Sequence, residues 1–380
     1  MTKRLMFVFG TRPEAIKMAP LIKACEASPL FSPIVVVTAQ HREMLDQVLE
    51  LFHITPDYDL NIMRPGQTLT DITSAVLRGL EGVIAKEKPD MVLVHGDTTT
   101  TFAGALAAYY QGAPVAHVEA GLRSGDMYAP FPEEGNRRLT AVLSTVHLAP
   151  TVNARKALIR EGIPERVIYT TGNTVIDALN ATLERDYTFS EGPVREALAK
   201  EGRKLLLTAH RRENLGEPML RIFGALARLL EDFPDTQLFF PVHKNPKVRE
   251  AAQKVLGGHD RVVFMEPLDY EPFVHLMNAM DLILTDSGGL QEEAPSLGKP
   301  VLVLRNTTER PEAVEAGTVR LVGTHEAPIY AAAAELLSNP AAYAEMRHAV
   351  NPYGDGAACA RILSALAHHF NLGDRPEDWQ

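Results

Sequence analysis

The feature that most constrains this chain is a recurring alternation between short apolar runs and longer segments of helical periodicity. The runs are rich in Val, Ile, Leu and Phe, and each has about the length of one strand. Continuous apolar runs of this kind are typical of strands buried on both faces of a parallel sheet. Strands are predicted at Leu5–Gly10, Ile34–Thr38, Met91–Asp97, Val115–Glu119, Val146–Ala149, Val167–Gly172, Lys204–His210, Gln237–His243, Val262–Pro267, Asp281–Asp286, Pro300–Leu304 and Val319–Val322.

The alternation is interrupted once, and this interruption predicts two domains. Between Asp177 and Gly202 the strand signals stop and charged helical sequence takes over. We therefore predict an α/β protein with two Rossmann-like domains, residues 1–172 and 173–363, and a cleft between them. An amphipathic helix is predicted over Ala357–Phe370, and the tail from about residue 364 to 380 is expected to pack back on the first domain.

Composition excludes several classes of protein. The net charge is −10 with both signs spread along the chain, so no basic stripe predicts nucleic-acid binding. No apolar run approaches the ~20 residues that span a bilayer, and we expect a cytoplasmic protein without membrane contact. The two cysteines, Cys25 and Cys359, are far apart and do not predict a disulfide framework or a metal site.

Polar residues follow several predicted strands in the first half, at the edge where open parallel sheets bind ligands. Arg12 and Lys17 come after the first strand, Asp97 and Glu119 follow later strands, and Glu133 opens a helix. Asp97 could instead be the N-cap of a helix that starts at Thr98. Glu133 and Glu134 could lie at the start of their helix only because the positive end of a helix dipole favours acidic residues. Because carboxylates brought together raise one another's pKa, we interpret Asp97, Glu119 and Glu133 as an acid/base set.

The second half carries two histidines and a glycine-rich turn at strand ends. His210 and His243 each follow a strand beside basic residues. A lone histidine is more often structural than catalytic, and a pair in corresponding positions shifts this expectation modestly toward anion binding. The stretch Asp286–Gly289 ends a strand in Ser-Gly-Gly before a helix, which predicts a phosphate cradle. It could also be a turn that only permits close packing. It matches neither the Walker A motif nor the dinucleotide fingerprint, so NAD is not implied.

In these segments the chain resembles the non-hydrolysing UDP-N-acetylglucosamine 2-epimerases of bacteria, and the resemblance extends over essentially its full length. The segments that carry it are Phe9–Glu14, Val94–Thr98, His117–Arg123, Phe131–Glu134, Thr208–Glu213 and Asp286–Gly289. The resemblance implies a fold of the glycosyltransferase B type, a homodimer and no cofactor. It implies reversible conversion of UDP-N-acetylglucosamine to UDP-N-acetylmannosamine, a precursor of cell-surface polysaccharides, by elimination of UDP to 2-acetamidoglucal.

The same resemblance assigns roles to individual residues. Asp97, Glu119, Glu133 and His210 would be catalytic. The residues expected to bind substrate are Arg12, Lys17, Arg137, Ser287, Gly288, Gly289 and Glu293. A retaining glycosyltransferase, a hydrolysing 2-epimerase and a sugar-nucleotide sensor remain as alternatives.

One departure from the family concerns regulation. Regulated members bind a second UDP-N-acetylglucosamine, and the corresponding residues here would be Gln40, Glu43, Arg211 and His243. Glu43 stands where the family pattern has Gln, and Gly66 stands where it has Arg. Because the Glu43 carboxylate would repel a diphosphate, we expect activation by substrate to be weakened or altered.

Overall fold

The computed structural model describes residues 2–39 and 42–380, with only the backbone of residues 42 and 43. The chain divides into two compact units. Unit 1 comprises Met1–Ala181 and Tyr353–Gln380, and unit 2 comprises Thr182–Pro352. The first change of unit thus lies nine residues beyond the predicted bound, at 181/182, and the return lies at 352/353, before the predicted position near 364.

Unit 1 is built on a parallel sheet of seven strands in the order β3-β2-β1-β4-β5-β6-β7. Its strands are β1 (Lys3–Phe9), β2 (Phe31–Val37), β3 (Tyr58–Asp59), β4 (Met91–His95), β5 (Val115–Val118), β6 (Val146–Ala149) and β7 (Ile168–Thr170). Its helices are α1 (Arg12–Ala27), α2 (Arg42–Leu51), α3 (Leu69–Glu87), α4 (Thr99–Tyr110), α5 (Glu133–Leu143), α6 (Val152–Arg160) and α7 (Thr174–Leu183), whose last two residues belong to unit 2.

Unit 2 repeats the architecture with a parallel sheet of six strands in the order β10-β9-β8-β11-β12-β13. Its strands are β8 (Arg203–Thr208), β9 (Thr236–Pro241), β10 (Val262–Met265), β11 (Leu282–Thr285), β12 (Val301–Val303) and β13 (Val319–Leu321). The helices that follow α7 are α8 (Pro193–Ala199), α9 (Glu217–Asp232), α10 (Pro246–Leu256), α11 (Tyr270–Asn278), α12 (Leu290–Ser296), α13 (Pro311–Glu315), α14 (Glu326–Ser338) and α15 (Pro340–His348). Helix α16 (Ala358–His369) belongs to unit 1.

The apolar runs form the cores of both sheets, as their composition predicts. The side chains of Leu5–Phe9 and Leu205–Leu207 are fully buried, because helices cover the faces of a parallel sheet. All twelve predicted strands are present. Val146–Ala149 has the predicted bounds and the other eleven differ slightly, whereas the two-residue β3 was not predicted. The α/β prediction with two Rossmann-like units is therefore confirmed.

Each sheet has one place where the strand order reverses. In unit 1 the reversal lies between β1 and β4, and in unit 2 it lies between β8 and β11. The loops that leave such a strand pair diverge, and the crevice between them is the usual ligand site of an open α/β sheet. Among the described residues, no helix combines the length and apolar character needed to cross a membrane.

Candidate active site

A buried carboxylate joins the loops after β1 and β4 at the reversal point of unit 1. Glu14 Oε2 accepts hydrogen bonds from the Gly10 and Thr11 amides at 3.1 and 2.8 Å and from the Thr11 hydroxyl at 2.8 Å. Its Oε1 accepts from the hydroxyls of Thr98 at 2.7 Å and Thr101 at 3.2 Å. Burial raises the pKa of Glu14 above its usual value, against these bonds. Glu14 thereby fixes the starts of α1 and α4 to each other.

The loop after β4 presents Asp97 to an arginine. Arg137 on α5 donates from Nε and Nη2 to Asp97 Oδ2 at 3.0 and 2.6 Å, and Asn136 donates to the Asp97 carbonyl at 2.9 Å. The structure does not support Asp97 as the helix cap, because Thr98 is the N-cap residue and its hydroxyl accepts from Thr101 N. With its side chain held by Arg137, Asp97 has no capping role.

Glu119, directly after β5, is the centre of a second charged cluster. Its backbone is left-handed with φ = 62°, a conformation that is uncommon outside glycine. Its Oε2 forms an ion pair with Lys17 Nζ of α1 and accepts from Asn173 Nδ2 at 2.8 Å. The same oxygen lies 3.8 Å from Nε2 of the buried His95. Burial lowers the pKa of His95 to about 4, despite the neighbouring Glu119 charge.

Two adjacent glutamates at the start of α5 have different surroundings. Glu134 is fully buried and accepts from the Ser124 amide at 3.0 Å, from Arg137 at 3.2 Å and from Arg138 at 3.0 Å. Burial would raise the pKa of Glu134, but these donors hold it below its usual value. Glu133 Oε2 is buried without a hydrogen-bond partner among the described residues. Glu134 is therefore a structural anchor, whereas Glu133 retains an unsatisfied oxygen.

The corresponding loops of unit 2 join His210 to Asp286. His210 Nδ1 lies 2.9 Å from Asp286 Oδ1, and the His210 and Arg211 amides each donate to Asp286 Oδ2 at 2.9 Å. Asp286 is fully buried, whereas 40% of the His210 side chain is exposed. Burial would raise the pKa of Asp286, but its donors, His210 above all, hold it below the usual value. The ring of His243 stacks on that of His210, with centroids 5.9 Å apart.

The glycine-rich turn follows β11 directly. The Ser287 amide donates to Thr285 Oγ1 at 2.9 Å, so it is not available to an anion. Gln291 Nε2 donates back to the Ser287 carbonyl at 3.0 Å, which holds the turn against the start of α12. Glu293, in the first turn of the same helix, lies 3.5 Å from the Tyr270 hydroxyl. The Ser287 hydroxyl and the turn after it remain the predicted anion donors.

The residues expected to serve regulation are only partly described. Arg211 Nε donates to the Asp286 carbonyl at 3.3 Å, and its Nη1 lies 3.7 Å from Glu309. His243 Nδ1 accepts from the Asn245 amide at 3.1 Å. Gln40 and the side chain of Glu43 lie outside the described residues.

Comparison with known proteins decides the family. The sequence profile described as UDP-N-acetylglucosamine 2-epimerase matches residues 23–367. The UDP-N-acetylglucosamine 2-epimerase of Yersinia pestis is 55% identical over 373 residues, covering 96% of this chain and 99% of that protein. The chain belongs to the UDP-N-acetylglucosamine 2-epimerase family. The predicted resemblance is thereby confirmed.

Solved structures of UDP-N-acetylglucosamine 2-epimerases have the same fold as this chain. The putative UDP-N-acetylglucosamine 2-epimerase of Listeria monocytogenes is 52% identical, with a TM-score of 0.95 and 100% of both chains covered. The Neisseria meningitidis enzyme, solved bound to UDP-GlcNAc, is 47% identical with a TM-score of 0.87, covering 96% of this chain and 100% of that one. A glycotransferase of kitacinnamycin, only 13% identical, has a TM-score of 0.63 over 96% of this chain and 100% of that one, which supports the glycosyltransferase-type fold.

Several residues that complete these clusters have no individual role predicted from the sequence. They are Glu14, His95, Asn173, Asn214 and Asp286. Asp286 and His95 lie at strand ends, which is the signal that pointed to Asp97 and His210. Asn173 gives no such signal, because only the fold brings it 2.8 Å from a carboxylate 54 residues earlier.

Proposed function

We propose that the chain interconverts UDP-N-acetylglucosamine and UDP-N-acetylmannosamine by eliminating and re-adding UDP. The main support for this proposal is the pair of charged clusters in unit 1, in which Lys17 forms an ion pair with Glu119 and Arg137 forms one with Asp97. Part-buried carboxylates held by cations are suited to proton transfer at fixed positions. Membership of the epimerase family indicates which substrate is converted.

The chemistry explains why carboxylates are needed. The C2 proton of the sugar is not adjacent to a carbonyl, so its direct removal would be very difficult. When the C1–O bond breaks and its electron pair leaves with UDP, the positive charge at C1 acidifies that proton. A base removes it, and the C2–H electron pair forms the double bond of 2-acetamidoglucal. Protonation of C2 from the opposite face and return of UDP to C1 complete the epimerisation, with no net oxidation.

The proposed roles follow the two units. In unit 1, Asp97, Glu119 and Glu133 would exchange protons with the sugar. In unit 2, His210 and the glycine-rich turn would stabilise the negative charge that develops on departing UDP, since positioned donors are most effective where charge develops. The residues proposed to bind substrate are Arg12, Lys17, Arg137, Ser287, Gly288, Gly289 and Glu293.

Proton NMR of the protein with UDP-N-acetylglucosamine alone tests this function. We expect the anomeric signal of UDP-N-acetylmannosamine to grow toward an equilibrium, with no free sugar. Release of UDP and free N-acetylmannosamine would indicate a hydrolysing epimerase. No turnover until an acceptor is added would indicate a glycosyltransferase, and binding without turnover would indicate a sensor.

We further propose, from membership of the family, that the protein is a homodimer. We also propose that its activation by substrate is weakened or altered, because Glu43 and Gly66 depart from the family pattern. Sedimentation equilibrium should give twice the mass of the chain. The rate with pure UDP-N-acetylmannosamine should depend hyperbolically on its concentration. An absolute requirement for added UDP-N-acetylglucosamine would refute the proposal on activation.

A further inference from the structure

The carboxylate of Asp286, at the start of the glycine-rich turn, is surrounded by several hydrogen-bond donors. Its carboxylate receives the His210 and Arg211 amides, the Asn214 side-chain amide at 3.1 Å and the His210 ring. Backbone and amide N–H groups can only donate, so both carboxylate oxygens act as acceptors. Asp286 is therefore an ionised, fully buried acceptor, and the titratable ring that it contacts is His210.

This arrangement decides which nitrogen of His210 carries a proton. Nδ1 lies 2.9 Å from an oxygen that can only accept, so Nδ1 must be the donor. In the neutral ring Nε2 then has the free lone pair. A proton gained at Nε2 leaves the Nδ1–Asp286 bond in place, so the ring keeps its orientation. The imidazolium formed in this way can donate from Nε2 to the negative charge that develops on departing UDP.

Two further residues, His243 and Asn214, stabilise the pair of His210 and Asp286. His243 stacks on it at an interplanar angle of 28°, and Nδ1 of His243 is occupied by the Asn245 amide. Asn214, which is buried, donates both to Asp286 and to the Leu304 carbonyl at 3.1 Å and so ties the carboxylate to the end of β12. The ring of His210 thus contacts the titratable groups of Asp286 and His243, and Arg211 follows it directly in the chain.

We propose that Asp286 is a positioning residue that sets the tautomer and orientation of His210, so that His210 meets the substrate through Nε2. This inference rests on the proposed function for its consequence in catalysis. The tautomer itself does not depend on that function and can be measured without substrate.

Asp286→Asn is the informative substitution. The new amide oxygen would be held by the backbone donors and Asn214, which leaves the NH₂ group facing His210. His210 Nδ1 would then have to accept, and the proton would move to Nε2. Asn214→Ala is the matched control, because it removes a donor to Asp286 and leaves the carboxylate facing His210.

Nitrogen-15 NMR of histidine-labelled full-length protein provides the direct test, with the His210 signals assigned by their loss in His210→Gln. We expect a protonated Nδ1 in the wild type and in Asn214→Ala, and a protonated Nε2 in Asp286→Asn. A wild-type protein with the proton on Nε2 would overturn the proposal, even if Asp286→Asn failed to fold.

Kinetics provide the second test. Since a positioned acid or base contributes roughly 10²–10⁴-fold, Asp286→Asn should lower kcat at least about a hundredfold with a much smaller change in KM. Adding Asp286→Asn to His210→Gln should slow the enzyme little further. Multiplicative losses would overturn the proposal, as would an equal loss of kcat in Asn214→Ala. Absence of epimerisation by the wild type would instead refute the proposed function and leave the NMR result standing.

Discussion

Glu119 pairs with Lys17 while its own backbone is left-handed, with φ = 62°. For a residue with a Cβ, this conformation is less favourable by roughly 1–2 kcal/mol, whereas glycine adopts it without this penalty. The strain lies at the residue that we assign to proton transfer. Strain of this kind is characteristic of active sites, where the surrounding structure enforces a side-chain position.

Replacing Glu119 by Gly and by Ala separates the strain from the side-chain contacts. Both substitutions remove the Lys17 pair, but only Gly relieves the left-handed backbone, so Glu119→Gly should be about 1 kcal/mol more stable than Glu119→Ala. Urea unfolding measures the difference. Both variants should lose activity to a similar extent. Equal stabilities would show that the backbone relaxes at no cost.

Arg137 and Asp97 should be energetically coupled in catalysis. Because Arg137 holds Asp97 in addition to its proposed role in binding substrate, Arg137→Gln should lower kcat/KM more in the wild type than in Asp97→Asn. The coupling expected for such a contacting pair is about 1–2 kcal/mol in a double-mutant cycle. Independent losses in the two backgrounds would contradict this coupling and leave Arg137 with the substrate-binding role alone.

Two capping boxes in unit 1 offer a comparison of a buried and an exposed carboxylate. Glu14 is the third helical residue of the α1 capping box and accepts from five donors in a buried site, whereas Asp71 has the same place in the α3 capping box at the surface. Glu14→Gln places an NH₂ group against donors and should lower the free energy of unfolding by about 1–3 kcal/mol. Asp71→Asn should have a smaller effect. Equal effects in urea unfolding would contradict the anchoring role of Glu14.

Acid should destabilise the protein through its buried histidines. Burial, with Arg123 nearby, lowers the pKa of His147 to about 4, so the folded state keeps this ring neutral while the unfolded chain binds a proton below about pH 6.5. Its contribution to stability is therefore present above pH 6.5 and is lost as pH falls to about 4. From the pKa difference this loss is roughly 3 kcal/mol.

His147→Gln tests this dependence, because its side chain stays neutral throughout. The fall in the free energy of unfolding between pH 7 and pH 4 should be smaller in this variant than in the wild type. The exposed His53 provides the control, and His53→Gln should follow the wild type. Parallel curves for wild type and His147→Gln would contradict the prediction.

Patterns local in sequence predicted most of the architecture and the candidates at strand ends. Runs such as Leu5–Phe9 are buried on both faces, so their composition alone indicates parallel strands. The pairing of Asp286 with His210 joins residues 76 apart, and composition does not reveal which acceptor a ring will meet. Strand β3 escaped prediction because two residues, Tyr58 and Asp59, carry no periodicity.

Epimerisation by elimination requires that the bond between C1 and UDP breaks. Substrate labelled with oxygen-18 in the C1–O–Pβ bridge tests it, because the β-phosphate of released UDP can rotate before it returns. Phosphorus-31 NMR of recovered UDP-N-acetylglucosamine should show the label spreading to non-bridging positions at a rate comparable to epimerisation. Complete epimerisation with the label still in the bridge would contradict the elimination mechanism.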